Sequence, residues 1–370
     1  MKLLLINQYG PPDASPTARL AGDLSQYLTA AGHEVHIVSH ISEASGYRQR
    51  YRGAMRLLAE GWALLSLIWK SLWVARVDQI LVFSSPPMAL LAGVCAGRYH
   101  HVPVIHWALD AYPDVAGALG AGGPDFIQHG LRRIMREAYE NCRQVVAVSD
   151  AMQQMLLERY QVEAEVIYPW PPDLPLRSVD ISWSGVPENY RVWCYSGNLG
   201  KAHEWSVLLD VQQELESRSV PLALVVQGGG DGFSKLHQEA HNRGIRHVYL
   251  QDYAEEDELV PRLHAAAVRV ATLKLEMSGL LWPSKWALID CLPGPHLWIG
   301  PGRDLGHAAN DRIGRYDVEQ YGSIAQWLEE NADSRLELNE VAFKESVDRK
   351  RSAGLTSWQV LLERAPHESE

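Results

Sequence analysis

The sequence predicts an α/β protein with two doubly wound domains, each a parallel sheet covered by helices. Short apolar runs typical of buried strands alternate with longer amphipathic segments from residue 3 to residue 299, and this alternation favours parallel sheets. The 370 residues exceed what one core usually holds. Residues 169–190 are rich in proline and lack periodicity, which indicates a linker. We therefore place a first domain at 1–175, a linker at 176–190 and a second domain at 191–345.

Composition restricts the classes of function. The net charge is −11, and this lack of basic excess argues against nucleic acid as a partner. No uncharged apolar stretch reaches 18 residues, so we expect no transmembrane helix. The short apolar run at 1–7 predicts a buried strand rather than a signal peptide, and we expect a cytoplasmic protein. The four cysteines are far apart and form no CxxC motif, so we expect buried free thiols.

The first half opens with a strand–helix–strand unit. Strands are predicted at 3–6 and 35–38, joined by a helix that follows the loop at 8–16 and runs to about 31, and its apolar residues share one face. Such units imply parallel strands, whose carboxyl ends carry ligand sites, so the loops at 8–17 and 39–47 are candidates. The other predicted elements of this half are strands at 79–83, 102–107, 144–148 and 165–168 and helices at 88–99, 128–142 and 150–160.

Residues 48–76 form a basic and aromatic helical stretch. The sequence opens with four arginines, Arg48, Arg50, Arg52 and Arg56, and apolar residues then recur at spacings of three and four up to Trp73. One interpretation is an interfacial helix that rests on an anionic membrane. The other is a helix packed into its own domain, because a broad apolar stripe is usually core. The sequence leaves both open.

The second half repeats the same alternation. Strands are predicted at 192–195, 222–227, 248–250, 268–273 and 297–299, and helices at 208–215, 233–242, 256–266 and 284–291. YSGNLGKAHE at 195–204 indicates a strand, a glycine turn and a helix. Its glycines permit positive φ and close backbone approach, and the free N–H groups of a helix start favour an anion. An ordinary loop with glycines is the alternative on this stretch alone.

Seven motifs together carry a resemblance to a known family. They are QYGPPD at 8–13, GHEVHIVS at 32–39, DAYPDVAGALG at 110–120, VSDAM at 148–152, YSGNLGKAHE at 195–204, QGGGDG at 227–232 and GLLWPSKW at 279–286. The chain resembles family-4 glycosyltransferases of the GT-B fold, and most of all the subgroup that builds bacterial exopolysaccharide and O-antigen repeats, such as the colanic-acid transferases. The resemblance implies two Rossmann-like domains facing a cleft. It also implies that the first domain binds the acceptor, that the second binds a nucleotide-sugar, and that a C-terminal helix in 346–370 returns to the first domain.

Residue roles follow from the resemblance and from the chemistry of glycosyl transfer. The expected donor-binding residues are Gly197, Asn198, Gly200, Lys201, Gly229, Ser284 and Lys285. The expected catalytic residues are Asp110, His106 and Glu276, and the expected acceptor-side loop residues are Tyr9, Gly10, Asp13 and Arg19. Charge develops on the departing diphosphate, so cations and helix starts stabilise the transition state. Lys201 and Lys285, each beside a predicted helix start, are expected to converge on one diphosphate.

The resemblance also sets expectations for cofactors, mechanism and partners. The sequence has no Asp-x-Asp motif and no cluster of metal ligands, so we expect metal-independent transfer with no cofactor besides the nucleotide-sugar donor. The resemblance implies retention of the anomeric configuration. The expected acceptor is a saccharide or a polyprenyl-linked saccharide at the cytoplasmic face of the membrane.

Three departures from the subgroup's pattern keep other functions open. Leu109 stands where the subgroup has histidine, LPGPH at 292–296 replaces its usual turn, and Ser284 stands where the wider family has a second glutamate. The alternatives are a non-catalytic subunit that binds a nucleotide-sugar or a partner enzyme, and a nucleotide-sugar epimerase. For Asp110 a local turn, and for Glu276 an ordinary surface carboxylate, are the competing interpretations.

Overall fold

A computed structural model of the chain describes residues 1–13, 15–41, 54–176, 181–305, 312–333 and 337–364. They form two units: Met1–Trp170 with Gly279–Trp282 and Arg351–Glu370, and Pro171–Ser278 with Pro283–Lys350. Each unit holds one six-stranded sheet, and every strand pairing is parallel. The predicted α/β class with two doubly wound, Rossmann-like domains is therefore confirmed. The unit bounds differ from the predicted domain bounds, because residues 279–282 join the first unit and its last segment begins at 351.

The first sheet has the strand order β2-β1-β3-β4-β5-β6. Its strands are β1 (Lys2–Tyr9), β2 (Glu34–Ile41), β3 (Gln79–Phe83), β4 (Val104–Ala108), β5 (Gln144–Ala147) and β6 (Ala164–Val166). All residues of β3 and β4 are buried, as expected for parallel strands covered on both faces. The chain runs from β1 to one side and returns to β3 on the other, so β1 and β3 flank a switch point of the topology.

Helices connect the strands of the first sheet. They are α1 (Pro16–Ala30), α2 (Ala54–Leu72), α3 (Leu90–His100), α4 (Asp114–Ala118), α5 (Asp125–Glu140) and α6 (Asp150–Tyr160). α1 and α6 follow Ser15 and Ser149, whose hydroxyl oxygens accept hydrogen bonds from backbone N–H groups of the first turn. α1 buries Leu20, Leu24 and Leu28 on the predicted face.

The second sheet has the strand order β12-β11-β10-β7-β8-β9. Its strands are β7 (Arg191–Asn198), β8 (Leu222–Gly229), β9 (Val248–Gln251), β10 (Val268–Thr272), β11 (His296–Ile299) and β12 (Ile313–Tyr316). The helices of this half are α7 (Ser206–Ser217), α8 (Asp231–Asn242), α9 (Glu256–Ala265), α10 (Lys285–Ile289), α11 (Tyr321–Asn331) and α12 (Glu340–Glu363). The chain builds β7 to β9 in one direction and β10 to β12 in the other. β7 and β10 therefore flank the switch point of this unit.

Two sequence-based expectations need correction. The predicted strands end too early, because 297–299 is the last of them, whereas β12 and α11 follow it in the structure. The expected burial of all four thiols is wrong for Cys95, which is exposed. Cys95 lies on the outward side of α3, between the buried residues Val94 and Ala96. Cys194 and Cys291 are buried, Cys142 is half-buried, and all four cysteines are free thiols.

The end of α12 completes the core of the first unit. The Trp358 ring packs against the Trp107 ring with centroids 4.8 Å apart. Asp23 of α1 accepts hydrogen bonds from Trp170 Nε1 at 2.9 Å and from Arg351 at 2.8 Å. The helix is therefore held to this unit by ring packing and by an ion pair with a shared carboxylate.

Candidate functional site

The switch point of the second unit lies where β7 and β10 are neighbours. β7 ends at Gly197 and Asn198, which pair with Gly228 and Gly229 at the end of β8. β10 ends at Thr272. Ligands of doubly wound sheets bind outside the carboxyl ends of the strands at such a point. This edge is therefore the candidate site of the second unit.

Glycines at this edge let the ends of β7 and β8 approach closely. Gly197, Gly228 and Gly230 have φ values of 121°, 136° and 111°, a region that favours glycine. A Cβ at Gly228 would lie 2.3 Å from the Gly197 carbonyl oxygen, and a Cβ at Gly230 would lie 2.3 Å from Asn198 Oδ1. The motifs SGNLG and QGGGDG are thus two halves of one backbone structure.

Replacing Gly228 should destabilise the second unit strongly. For Gly228→Ala we expect a loss of about 3 kcal/mol or more in the free energy of unfolding, because the φ angle is strained and the added methyl meets backbone. The matched control is Gly322→Ala in α11, where an added Cβ meets nothing within 4 Å and a small gain is expected. Urea unfolding of both variants tests this, and equal stability of Gly228→Ala and wild type would contradict it.

The helix start at this edge belongs to α8 and not to α7. Gly230 alone separates β8 from α8, a helix of 12 residues, so the positive end of its dipole lies near the end of β8. Two N–H groups of its first turn are already bonded, because Gly232 donates to the Leu199 carbonyl oxygen at 2.8 Å and Phe233 to the Gly230 carbonyl oxygen at 3.1 Å. α7 begins only at Ser206. Lys201 is exposed in the loop between β7 and α7, so the prediction that it lies beside a helix start is wrong. The sequence signal for α8 is the glycine run, which is weak by itself.

Lys285 brings a buried ammonium group to the same edge. The residue as a whole is partly exposed, whereas Nζ is buried and has no hydrogen-bond partner among the described residues. Nζ lies 3.6 Å from the centroid of the Tyr195 ring and 3.5 Å from the position that a Cβ on Gly197 would take. A buried charge without a counter-charge is unfavourable. The arrangement therefore suits an anionic ligand beside Gly197.

Neutral polar groups surround this ammonium. Burial lowers the pKa of Lys285 well below its usual value. Burial also lowers the pKa of His203 to about 3, with a further contribution from Lys285, and the His203 Nδ1 atom lies 2.6 Å from the Thr272 carbonyl oxygen. The Tyr195 hydroxyl, whose pKa burial raises, donates to the Asn198 carbonyl oxygen at 3.0 Å. A bound anion would favour the charged form of Lys285.

The remaining donor-side residues differ in how close they lie to this edge. Asn198 is exposed at the end of β7, and Gly229 is held against Tyr253, whose ring would lie 3.2 Å from an added Cβ. Ser284 is exposed and its side chain does not cap α10. Gly200 lies with Lys201 in the loop before α7. Glu276 is exposed on a short 3₁₀ turn after β10.

His106 of β4 is a core residue of the first unit. Its side chain is buried, and Nδ1 lies 3.0 Å from the Val82 carbonyl oxygen of β3. The ring packs against the Tyr139 ring, and burial lowers the His106 pKa to about 4. The structure therefore does not support the catalytic role predicted for His106. Both faces of a parallel strand are buried, so alternation along β4 does not aim the side chain at solvent.

Asp110 lies just beyond the carboxyl end of β4 and is partly buried. Its backbone N–H donates to Ser84 Oγ at 2.9 Å, and its backbone pairs with Leu281 in an isolated bridge. The Tyr112 N–H donates to the Asp110 carbonyl oxygen at 3.2 Å. A backbone turn therefore follows Asp110, and the catalytic role of Asp110 stays a prediction.

The predicted acceptor-side residues lie at the end of β1 and in α1. Tyr9 is buried, and Gly10 donates its N–H to the Ile41 carbonyl oxygen at 2.8 Å. An added Cβ on Gly10 would lie 2.6 Å from Ser39 Oγ. The Asp13 carboxylate accepts the Ser15 N–H at 2.7 Å, which shapes the turn into α1. Arg19 is partly exposed on α1.

Three polar residues at the switch point of the first unit are not among the predicted site residues, although Gln8 lies in the candidate loop at 8–17. Gln8 at the end of β1 donates to the Glu60 carboxylate of α2 at 2.6 Å and accepts from Ser85 Oγ at 2.8 Å. Ser85 follows β3, so the two strands beside the switch point and α2 are joined by one hydrogen-bonded chain. The sequence gives a weak signal for it, because Glu60 is an isolated carboxylate within an apolar helix.

The stretch at 48–76 contains α2, which packs one face and exposes another. Trp62 and Trp69 are 66% and 63% exposed. Arg48, Arg50 and Arg52 lie outside the described residues, as does the side chain of Arg56. Across the described ranges, no helix is long and apolar enough to cross a membrane. Within the same ranges, no group of three His, Cys, Asp or Glu side chains could hold a metal ion.

Comparisons with known proteins agree with this architecture. The sequence model of one protein family, Glycosyltransferase Family 4, matches residues 17–172. A comparison with curated protein sequences gives no significant match. The fold is similar to that of Alr3699/HepE from Anabaena, solved with UDP and glucose, at 15% identity over 98% of both chains with a TM-score of 0.63.

Two further solved structures resemble the chain over nearly its whole length. Sucrose-phosphate synthase from Thermosynechococcus elongatus is 12% identical over 98% of both chains, with a TM-score of 0.67. The lipopolysaccharide outer core galactosyltransferase WaaB is 12% identical over 97% of this chain and 100% of its own, with a TM-score of 0.60. These likenesses establish a shared fold with two Rossmann-like domains, the GT-B architecture.

Proposed function

We propose that the protein is a glycosyltransferase that moves a sugar from a nucleotide-diphosphate donor to a saccharide or lipid-linked acceptor in polysaccharide assembly. The observation that carries the proposal is the buried ammonium of Lys285, which has no hydrogen-bond partner among the described residues, beside the glycine edge of β7. A donor diphosphate would supply the counter-charge at this position. The start of α8 would add the positive end of its helix dipole to the same site.

Glycosyl transfer makes specific demands that this edge meets. Negative charge grows on the leaving diphosphate in the transition state, and a fixed cation in a water-poor site stabilises it without reorganisation. Lys285 lies over the Tyr195 ring, a contact within the protein that helps to fix its position. We propose retention of configuration and metal-independent transfer of a hexose, with the leaving phosphate assisting as base. The proposed roles of Asp110 near the acceptor and of Glu276 near the donor sugar belong to this mechanism.

Three matches support this class of reaction. The family match at 17–172 covers most of the long first segment of the first unit, and we propose that this unit binds the acceptor. The HepE structures contain UDP or UDP-glucose, and WaaB is a galactosyltransferase, so UDP-hexoses are the first donors to test. Assembly of exopolysaccharide or O-antigen repeats, with a polyprenyl-linked acceptor, is the finer proposal. A non-catalytic nucleotide-sugar-binding subunit is the second candidate, because Ser284 and Leu109 depart from the family pattern.

A donor screen tests the proposal directly. Melting of the full-length protein is measured with UDP-, GDP-, ADP- and dTDP-sugars. A donor at 100 times its dissociation constant should stabilise the folded protein by about 2.7 kcal/mol and raise the midpoint by several degrees. Turnover of the donor and NMR of the product anomer then distinguish an enzyme from a binding subunit and retention from inversion. A screen in which no nucleotide-sugar shifts the midpoint would contradict the proposal.

A further inference from the structure

The outward face of α2 is apolar, and within the part of the chain that the structure describes it remains solvent-exposed. Its exposed side chains form an outer stripe at spacings of three and four along the helix. The stripe consists of Met55, Leu58, Trp62, Leu65 and Trp69, and continues to Trp73 just past the helix end; each is more than half exposed. The Trp69 and Trp73 rings contact each other with centroids 5.5 Å apart.

The opposite face of α2 already packs on its own domain. Ala63 and Leu67 are fully buried, and Ser71 is buried beside them. Each residue advances the helix by about 100°, so this face lies opposite the outer stripe. The helix is therefore apolar on two sides, and packing within the first unit accounts for one of them. A helix that is hydrophobic all round normally has both sides covered.

We propose that the outer stripe of α2 lies in the interface of an anionic membrane, parallel to its plane. Three of the six stripe residues are tryptophans, and tryptophan favours the boundary between headgroups and acyl chains. The stripe spans about 27 Å along the helix, from the rise of roughly 1.5 Å per residue. α2 does not meet the length and hydropathy of a spanning helix, so the in-plane orientation is the one that buries the stripe.

The charges that lie close to the stripe in the sequence fit an anionic surface. Residues 42–77 carry six basic residues and two acidic ones, a local net charge of +4 in a chain of net charge −11. The basic residues are Arg48, Arg50, Arg52, Arg56, Lys70 and Arg76, and the acidic ones are Glu43 and Glu60. Glu60 accepts a hydrogen bond from Gln8, which directs that carboxylate away from the outer stripe. Basic residues near a membrane surface strengthen binding to anionic lipids.

The inner side of the same helix contacts the predicted acceptor side of the fold. Glu60 is bonded to Gln8, the residue before Tyr9 at the end of β1. A membrane-bound α2 would thus hold the acceptor-side loop next to the bilayer, which suits an acceptor with a lipid anchor. This last step rests on the proposed function, whereas membrane binding itself does not.

Vesicle pelleting of the full-length protein tests the inference. Wild type should pellet with vesicles of phosphatidylcholine and phosphatidylglycerol at low salt, less at high salt, and weakly with phosphatidylcholine alone. The triple variant Trp62→Ser, Leu65→Ser, Trp69→Ser should lose roughly 100-fold or more in apparent vesicle affinity, because binding scales with buried apolar area. The matched control replaces Leu157, Leu275 and Val341 with serine, which are exposed apolar residues elsewhere, and should bind like wild type.

The same experiments distinguish a membrane from a second copy of this chain as the partner that covers the stripe. If the stripe joined two copies of this chain, wild type would sediment as a dimer, the triple variant as a monomer, and neither would pellet with vesicles. That result, failure of wild type to pellet at low salt, or pelleting of the triple variant like wild type would each overturn the inference. Circular dichroism and the donor-induced melting shift show that the variants are folded. Pelleting of wild type without any donor-induced shift would leave the inference intact and the proposed function refuted.

Discussion

Replacing Lys285 with methionine should weaken donor binding and at the same time stabilise the ligand-free protein. A hydrogen bond to a charged group contributes roughly 1.5–3 kcal/mol, so Lys285→Met should raise the dissociation constant of the donor about 10- to 100-fold. The rate of transfer should fall at least as far, because the charge on the diphosphate is larger in the transition state. Calorimetry with the donor found in the screen measures the change in its dissociation constant.

The gain in stability follows from the burial of Nζ without a hydrogen-bond partner among the described residues. Methionine keeps a similar length and removes an amine whose burial without a hydrogen-bond partner is unfavourable, so the free energy of unfolding should rise by about 1 kcal/mol or more. A purely structural lysine would give the opposite sign. Unchanged donor binding in Lys285→Met would refute the proposed site.

Two matched variants sharpen the Lys285 experiment. Lys274→Met removes a nearby lysine whose side chain is partly exposed, and it should leave donor binding within a few-fold of wild type. Lys201→Met should have an effect smaller than that of Lys285→Met, because Lys201 is exposed in a loop away from a helix start. An equal loss in Lys201→Met and Lys285→Met would favour two lysines that converge on the diphosphate.

Acid should destabilise both units at pH values that are still well above the pKa values of most carboxylates. Burial lowers the pKa of His106 to about 4 and those of His203 and His296 to about 3, against an ordinary value of 6.5. The unfolded chain therefore binds more protons below pH 6.5, so the stability from these neutral rings is complete above that pH. It is lost as the pH falls toward 4 for His106 and toward 3 for the other two. From pH 7 to pH 5 the loss is about 2 kcal/mol each for His106 and His296, which are fully buried, and it is smaller for the half-buried His203.

The variant His106→Asn isolates one of these contributions. Asparagine keeps a donor for the Val82 carbonyl oxygen but does not titrate. Urea unfolding at pH 7, 6 and 5 should show that the variant loses about 2 kcal/mol less than wild type over this range. His101→Asn, at an exposed position, is the control and should follow wild type. Parallel pH profiles for His106→Asn and wild type would contradict the assignment.

The fold class was predictable because its signals are local and repeated. The bounds of β3 agree with the predicted 79–83, since an apolar run between polar residues defines a buried strand. β12 and α11 were not predicted. β12 is a short edge strand with two exposed or half-exposed residues, so it lacks the apolar run that marks a buried strand. The strand orders themselves are not visible in the sequence, and they decide which loops meet.

The candidate site was predictable in its residue types but not in their environment. The PSK motif indicated Lys285, yet its burial over Tyr195 depends on β7 and β10 being neighbours, which sequence spacing does not reveal. Lys201 was misplaced because the apolar pattern of α7 does not show where that helix begins. The Gln8–Glu60 contact joins residues 52 positions apart, and single-sequence patterns carry no information about such a pair.

The packing of Trp358 on Trp107 has a consequence for biosynthesis. Trp107 belongs to β4, in the middle of the first sheet, and its partner ring comes from a helix near the far end of the chain. During translation, β4 leaves the ribosome long before α12. Part of the core of the first unit therefore stays uncovered until α12 has been synthesised. Its closure has a high contact order. The order of synthesis and the order of folding therefore differ, and the unit made first is completed last.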